Sequence, residues 1–209
     1  MYAIVTNNEI TKLINNPKAM VIGDVRYPAK IFQLWSKSEL NAIGIYEVVT
    51  NSANKKDEKW YINTNESYAF ADNQVTRSWG TATPKAHADS LYTSQDNTDD
   101  LIPDDKSVGD VKTRGLKYNL IKDLKLQVSN ELAKTDWYIT RNTEKETAIP
   151  SAISTHRDAV RTKQAEMETA ITNASDTLAL ETLYTHINTG TEENPVFERP
   201  LGELPTLEI

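Results

Sequence analysis

The chain has 209 residues, seven glycines, no cysteine and a formal net charge of -7. Without cysteine there is no disulfide, thiol nucleophile or Cys-rich zinc site, and a net acidic chain lacks the basic face that a phosphate backbone requires, which argues against nucleic acid as the ligand. A hydrophobic fraction of 38% and a mean hydropathy of -0.56 imply one or two small domains with modest cores and some surface covered by partners.

Residues 1–80 read as short strands. Tyr2–Thr6 favours β structure, Asn7-Asn8 makes a turn, and Ile10–Ile14 follows before Asn15-Asn16-Pro17 breaks the chain. Met20–Ile22 is a third strand. Ser36-Lys37-Ser38-Glu39 has capping-box spacing, in which side chain and backbone satisfy each other's open donors. Leu40 and Ile43 follow at helical spacing, and Gly44 suits the position after the helix, so a helix of about two turns is expected. Ile45–Thr50, Lys59–Asn63, Ser67–Ala71 and Gln74–Trp79 then form a meander, with turns at Asn63-Thr64-Asn65 and Asp72-Asn73. Alternation places Tyr68 and Phe70 on one face, and Val75, Arg77 and Trp79 on one face of the next strand. The expectation is a small antiparallel β-rich docking or adaptor domain with one short helix.

Residues 81–110 carry Asp89, Asp96, Asp99, Asp100, Asp104, Asp105 and Asp110 with few apolar residues, which predicts an extended acidic linker. In residues 111–187, a helix over Val111–Ala133 would bury Tyr118, Ile121, Leu124 or Lys125, Val128 and Leu132. A second begins near Pro150, with a mixed stripe of Ile153, His156, Val160, Gln164, Met167 and Ile171. A third is expected at Asp176–Thr185, capped by Ser175, with Leu178, Leu180, Leu183 and Tyr184 apolar. Residues 188–209, with Pro195, Pro200 and Pro205, read as an extended arm. The fold class expected is α+β: β-rich domain, linker, then α-helical hairpin.

The search for chemistry finds no assembled site. His87, His156 and His186 lack metal-ligand spacing. Asp96-Asn97-Thr98-Asp99-Asp100 is a fragment of a calcium loop without its central glycine; a solvated acidic linker is the plainer reading, with cation binding through Asp96–Asp105 left open. There is no glycine-rich phosphate loop and no Gly-x-Ser-x-Gly elbow. Glu144 with Glu146, and Glu192 with Glu193, are neighbouring loop charges. No catalytic residue, metal or cofactor is expected, and an enzyme is not. Residues 1–6 contain no signal-peptide pattern, and no apolar run approaches the ~20 residues of a membrane span, so a product made in the cytoplasm without membrane contact is expected.

Four tryptophans, Trp35, Trp60, Trp79 and Trp137, are large anchors for a chain of this apolarity. Each either plugs a small core or serves an interface, where tryptophan and tyrosine concentrate binding energy. Trp137-Tyr138 directly follows the first long helix and is expected under the hairpin, while Trp79, at the linker's edge, is expected exposed. Trp60, Tyr61 and Trp79 together offer a possible sugar-binding face. The interface candidates are Trp79, Trp137, Tyr138, Tyr118, Ile121, Val128, Val160 and Met167.

Two segments carry a resemblance. One runs from Met1-Tyr2-Ala3-Ile4-Val5 through Tyr27-Pro28 to Leu40-Asn41-Ala42-Ile43-Gly44-Ile45-Tyr46-Glu47-Val48. The other holds Thr135-Asp136-Trp137-Tyr138-Ile139-Thr140-Arg141, Ile149-Pro150 and Arg157 with Val160-Arg161. Together they resemble the tail-fibre-assembly and virion-structural proteins of tailed bacteriophages. The resemblance implies a non-enzymatic structural part of a tail, baseplate or tail-fibre complex, located in the virion tail and touching other tail or fibre proteins. The alternatives are a non-virion tail-fibre assembly chaperone and a tail protein that binds a glycan receptor of the host. Helical stripes this polar suit burial against copies of the same chain, so a homo-oligomer is expected, a trimer by preference. The acidic segment and the Pro-rich tail belong to no motif of that group.

Overall fold

A hairpin opens the chain: β1 (Tyr2–Thr6) pairs antiparallel with β2 (Glu9–Ile14) across the two-residue loop Asn7-Asn8. Both loop residues have positive φ, 51° and 65°, as a type I′ turn demands, and asparagine tolerates that region better than other residues with a Cβ. A second hairpin joins β3 (Met20–Ile22) and β4 (Val25–Tyr27). The short helices α1 (Ile31–Leu34) and α2 (Lys37–Ala42) come next. The strands β5 (Ile45–Thr50), β6 (Tyr61–Ile62), β7 (Ser67–Ala71) and β8 (Gln74–Ser78) follow, and β7–β8 is again closed by two positive-φ residues, Asp72 and Asn73.

This is a computed structural model, which describes residues 1–207; the last two residues of the 188–209 arm lie outside the described part. The fold is α+β. The chain comprises two compact units, Met1–Thr83 and Pro84–Ile209.

In the first unit five strands form one sheet in the order β2-β1-β5-β8-β7. The pairing departs from the expected antiparallel meander, because β5 and β8 run parallel, Val48 opposite Val75. The chain must run back between two parallel strands; β7, antiparallel to β8, makes that return, and the segment that includes β6 carries the chain from β5 past the place of β8 to β7. Alternation along β1 gives the sheet two cores. Ala3 and Val5 join Val75, with Tyr46, Val48 and Phe70 packed around them. On the other side Ile45 meets Ile31 of α1 and Leu40 of α2, with Tyr2, Met20, Tyr27 and Trp35. The capping box expected at Ser36 is present: Ser36 accepts from the Glu39 N–H while the Glu39 carboxylate accepts from the Ser36 N–H at 2.7 Å. Helix α1, by contrast, is an addition to the one short helix expected. Gly44 follows α2 at φ +80°, and a Cβ there would stand 2.8 Å from the Val5 carbonyl oxygen.

The second unit begins where a linker was expected. After β9 (Thr83–Pro84), β10 (Ser90–Leu91) pairs antiparallel with β11 (Val111–Thr113), and α3 (Ser94–Thr98) lies between them. The first long helix starts later than expected, as α4 (Leu116–Ala133). Its opening donors are satisfied by the acidic segment itself. The N–H groups of Gly115, Leu116 and Lys117 donate to the Asp89 carboxylate (2.7 Å), the Ala86 carbonyl (3.0 Å) and the His87 carbonyl (3.0 Å). A carboxylate there also favours the positive end of the helix dipole.

After α4 come α5 (Asp136–Lys145), α6 (Ser151–Asn173) and α7 (Thr177–Tyr184). Helices α4 and α6 pack lengthwise, and their direction is antiparallel: Lys117 near the start of α4 donates to the Thr172 carbonyl at the end of α6, while Arg157 near the start of α6 reaches Leu132 at the end of α4. Leu120, Leu124 and Val128 of α4, and Ile153, Val160, Met167 and Ile171 of α6, are buried, as is Leu180 of α7. The cap of α7 is Asp176, accepting from Ala179 N–H at 2.8 Å, rather than Ser175. The Pro-rich arm is not wholly free: β12 (Ile187–Asn188) pairs with β13 (Phe197–Glu198), and buried Leu201 donates its N–H to the Leu183 carbonyl.

Candidate interaction surface

The connection between the paired helices, for which the sequence predicts no helix of its own, is itself a helix, α5. Its first turn is pinned by Arg157. That guanidinium, buried on α6, donates through Nη1 to the Leu132 carbonyl (2.8 Å), the Thr135 hydroxyl (2.7 Å) and the Asp136 carboxylate (2.8 Å). Thr135 is itself buried and donates its hydroxyl to Leu132, so end of α4 and start of α5 share one polar knot. Beside it Glu131 accepts from Lys134, which lowers the Glu131 pKa. The other Glu131 oxygen sits 3.3 Å from His156 Nε2, off hydrogen-bond geometry, and neither atom has another hydrogen-bond partner among the described residues.

Beyond its first turn α5 is exposed. It contributes no buried residue. Tyr138 and Asn142, one turn apart, are half-buried and face inward. Trp137, one turn from Arg141, points out and is 50% exposed. The Arg141 guanidinium lies 5.8 Å from its ring, and Tyr138 stacks on it with centroids 3.9 Å apart. Ile139 is also exposed. Glu146 ends the helix in the left-handed region, its N–H on the Asn142 carbonyl. The result is a short helix rigidly held at one end, presenting a tryptophan.

The expected interface residues therefore divide. Val128, Val160 and Met167 form hairpin core, and Ile121 is half-buried at its margin. Tyr118 is exposed rather than buried, with the Arg114 guanidinium 4.1 Å from its ring and Arg114 paired to Asp89; Leu120, not Tyr118, points into the hairpin. Trp137 was expected beneath the hairpin and lies outside it, because α5 turns that side of its first turn to solvent. Trp79 was expected exposed and is 7% exposed. Its carbonyl accepts from Asn54, and Arg77 and Lys55 cover its ring at 4.6 and 5.3 Å. Trp60 and Tyr61 are buried too, so those three rings are closed to a stacking sugar.

The acidic cluster holds its own partners. Asp96 closes a capping box with Thr93 and pairs with Lys112, which together hold its pKa down to about 2. Asp99 accepts from Gln95 at 2.8 Å. Among the described residues no three His, Asp or Glu side chains gather as a metal site, and no helix is long and apolar enough to cross a membrane. Sequence reasoning passed over Arg157 as an anchor. An arginine at a position between the apolar stripe residues His156 and Val160 was the available signal, since a charge that close to a buried stripe needs partners. No protein-family model, curated protein or solved structure matches the chain.

Proposed function

We propose that this chain is a non-enzymatic structural component of a tailed-phage tail, baseplate or tail-fibre complex, acting through protein–protein contacts and self-association, with other tail or fibre proteins and copies of itself as partners. The observation that carries the reading is α5: a helix anchored through buried Arg157 yet burying none of its own residues, with Trp137 and Ile139 turned to solvent. Tryptophan held rigidly at the surface costs little side-chain entropy on binding and supplies a large contact area. The resemblance of residues 135–161 to phage virion proteins points the same way. A symmetric oligomer, a trimer by preference, would bury α5 against α5 or against a neighbouring hairpin.

Sedimentation velocity of the full chain tests self-association. The expected result is a trimer that falls to monomer in Trp137→Ser/Ile139→Ser with unchanged helix content; a wild-type chain that stays monomeric over a wide concentration range overturns it. Mass spectrometry of purified particles tests the location. Stoichiometric presence supports a tail part, whereas absence moves the chain to the fibre-assembly factors.

A further inference from the structure

We infer that the end of the curled sheet in the first unit is a binding site for a neutral sugar. There the two type I′ turns, Asn7-Asn8 between β1 and β2 and Asp72-Asn73 between β7 and β8, border a cleft of about 480 Å³ with Tyr46 and Phe70, within the size range of small-molecule sites. Tyr46 and Phe70 lie edge to face, centroids 4.8 Å apart, each only partly buried against the core below. The Tyr46 hydroxyl donates to Asn73 Oδ1 at 3.0 Å, which orients that amide at the cleft.

The lining decides the class of ligand. Three amides and one carboxylate supply both donors and acceptors at close range, the combination that vicinal hydroxyls satisfy because each hydroxyl both gives and takes a hydrogen bond. Beside them Tyr46 and Phe70 supply aromatic surface on which the C–H face of a sugar ring packs. Among the described residues no lysine, arginine or histidine lines the cleft, so a phosphate or other anion finds no counter-charge there. A single carboxylate, Asp72, is too few for a hard divalent cation, which takes several anionic oxygens. An apolar ligand would strand the amides without partners. A neutral polyhydroxylated ring meets each condition. The inference is independent of the tail assignment and places any sugar contact away from Trp60, Tyr61 and Trp79.

The test uses the full chain and a backbone amide NMR titration with D-glucose, D-galactose, D-mannose and N-acetyl-D-glucosamine in turn, each to about 50 mM, well past a millimolar dissociation constant. Inorganic phosphate and Ca²⁺ are run in parallel. At least one sugar is expected to shift the amides of both turns saturably, while phosphate and Ca²⁺ leave them in place. Asn8→Gly and Asn73→Gly are the matched variants. Each deletes an amide but creates Asn-Gly or Asp-Gly, the sequences a type I′ turn prefers, so melting is expected to hold or rise while affinity falls about tenfold. No shift with any of the four sugars overturns the inference. So do shifts that persist in both glycine variants, or saturable shifts with phosphate or Ca²⁺ instead.

Discussion

Arg157→Met is the most informative single change in the helical unit. Methionine refills most of the arginine stem, so little cavity is created and the transfer term is small. What disappears is one charged donor shared by three acceptors. The Asp136 side chain is 60% exposed, so that ion pair contributes under about 1 kcal/mol. The Leu132 carbonyl and the Thr135 hydroxyl are different, because Thr135 is 1% exposed and water cannot replace the guanidinium. A hydrogen bond from a charged group contributes about 1.5–3 kcal/mol. Thr135 still donates its N–H and hydroxyl to Leu132, both at 3.0 Å, which places the loss toward the lower end of the sum, at about 3 kcal/mol. Replacing a buried charge by an apolar residue is sometimes neutral or stabilising, but only when its partners are removed too, and here a main-chain carbonyl stays. Urea denaturation followed by helical ellipticity measures the loss, with Asp136→Ala as the control at under about 1 kcal/mol. If the two variants lose the same stability, the buried knot does not hold the α4–α5 junction.

Gly44→Ala forces a Cβ to 2.8 Å from the Val5 carbonyl oxygen at φ +80°, and is expected to cost the first unit about 1–3 kcal/mol, read as an earlier loss of amide protection in β1 and β5. Leu180, wholly buried on α7, should cost about 2–5 kcal/mol as Leu180→Ala in calorimetry; a smaller loss would mean that α7 is not closed onto the hairpin. The Asp96 pKa is lowered from 3.8 to about 2, first by Lys112 and then by Thr93. A depressed carboxyl stabilises the fold fully above its unfolded pKa and loses that contribution as pH falls through the folded value. Hydrogen-exchange protection across 93–112 should therefore weaken as pH drops from about 4 to about 2, and Lys112→Ala should raise the Asp96 midpoint in a carboxyl NMR titration.

Local signals in the sequence proved sufficient where the physics is local. The Ser36–Glu39 box, the positive-φ turns at Asn7-Asn8 and Asp72-Asn73, and the α6 stripe from Ile153 to Ile171 all appear as read. What escaped depends on distant partners. The parallel pairing of β5 with β8 arises because β8 inserts between β5 and β7, which no window of residues reveals. The sugar cleft inherits that difficulty, because its two turns lie some 65 residues apart and meet only through the sheet order. Trp79 and Trp137 exchanged roles for a similar reason: both sit next to an element end, and which side faces inward is set by packing that the sequence does not state.

The acidic segment takes that reasoning furthest. Composition weighs seven aspartates between 89 and 110 as mutual repulsion, yet repulsion counts only for charges without partners. Asp89 accepts from the Gly115 N–H at the start of α4 and pairs with Arg114, Asp96 closes the capping box with Thr93 and pairs with Lys112, Asp99 takes Gln95, and Asp110 accepts from Ser107 N–H at 2.8 Å. Two of the cations, Lys112 and Arg114, sit on or just after β11, the strand that pairs with β10 inside the same segment. The charges thus help select the fold of the segment. Removing Lys112 and Arg114 together should return residues 89–113 to the extended chain that their composition describes, while the α4–α6 hairpin, packed through Leu124, Val128 and Val160, keeps its core.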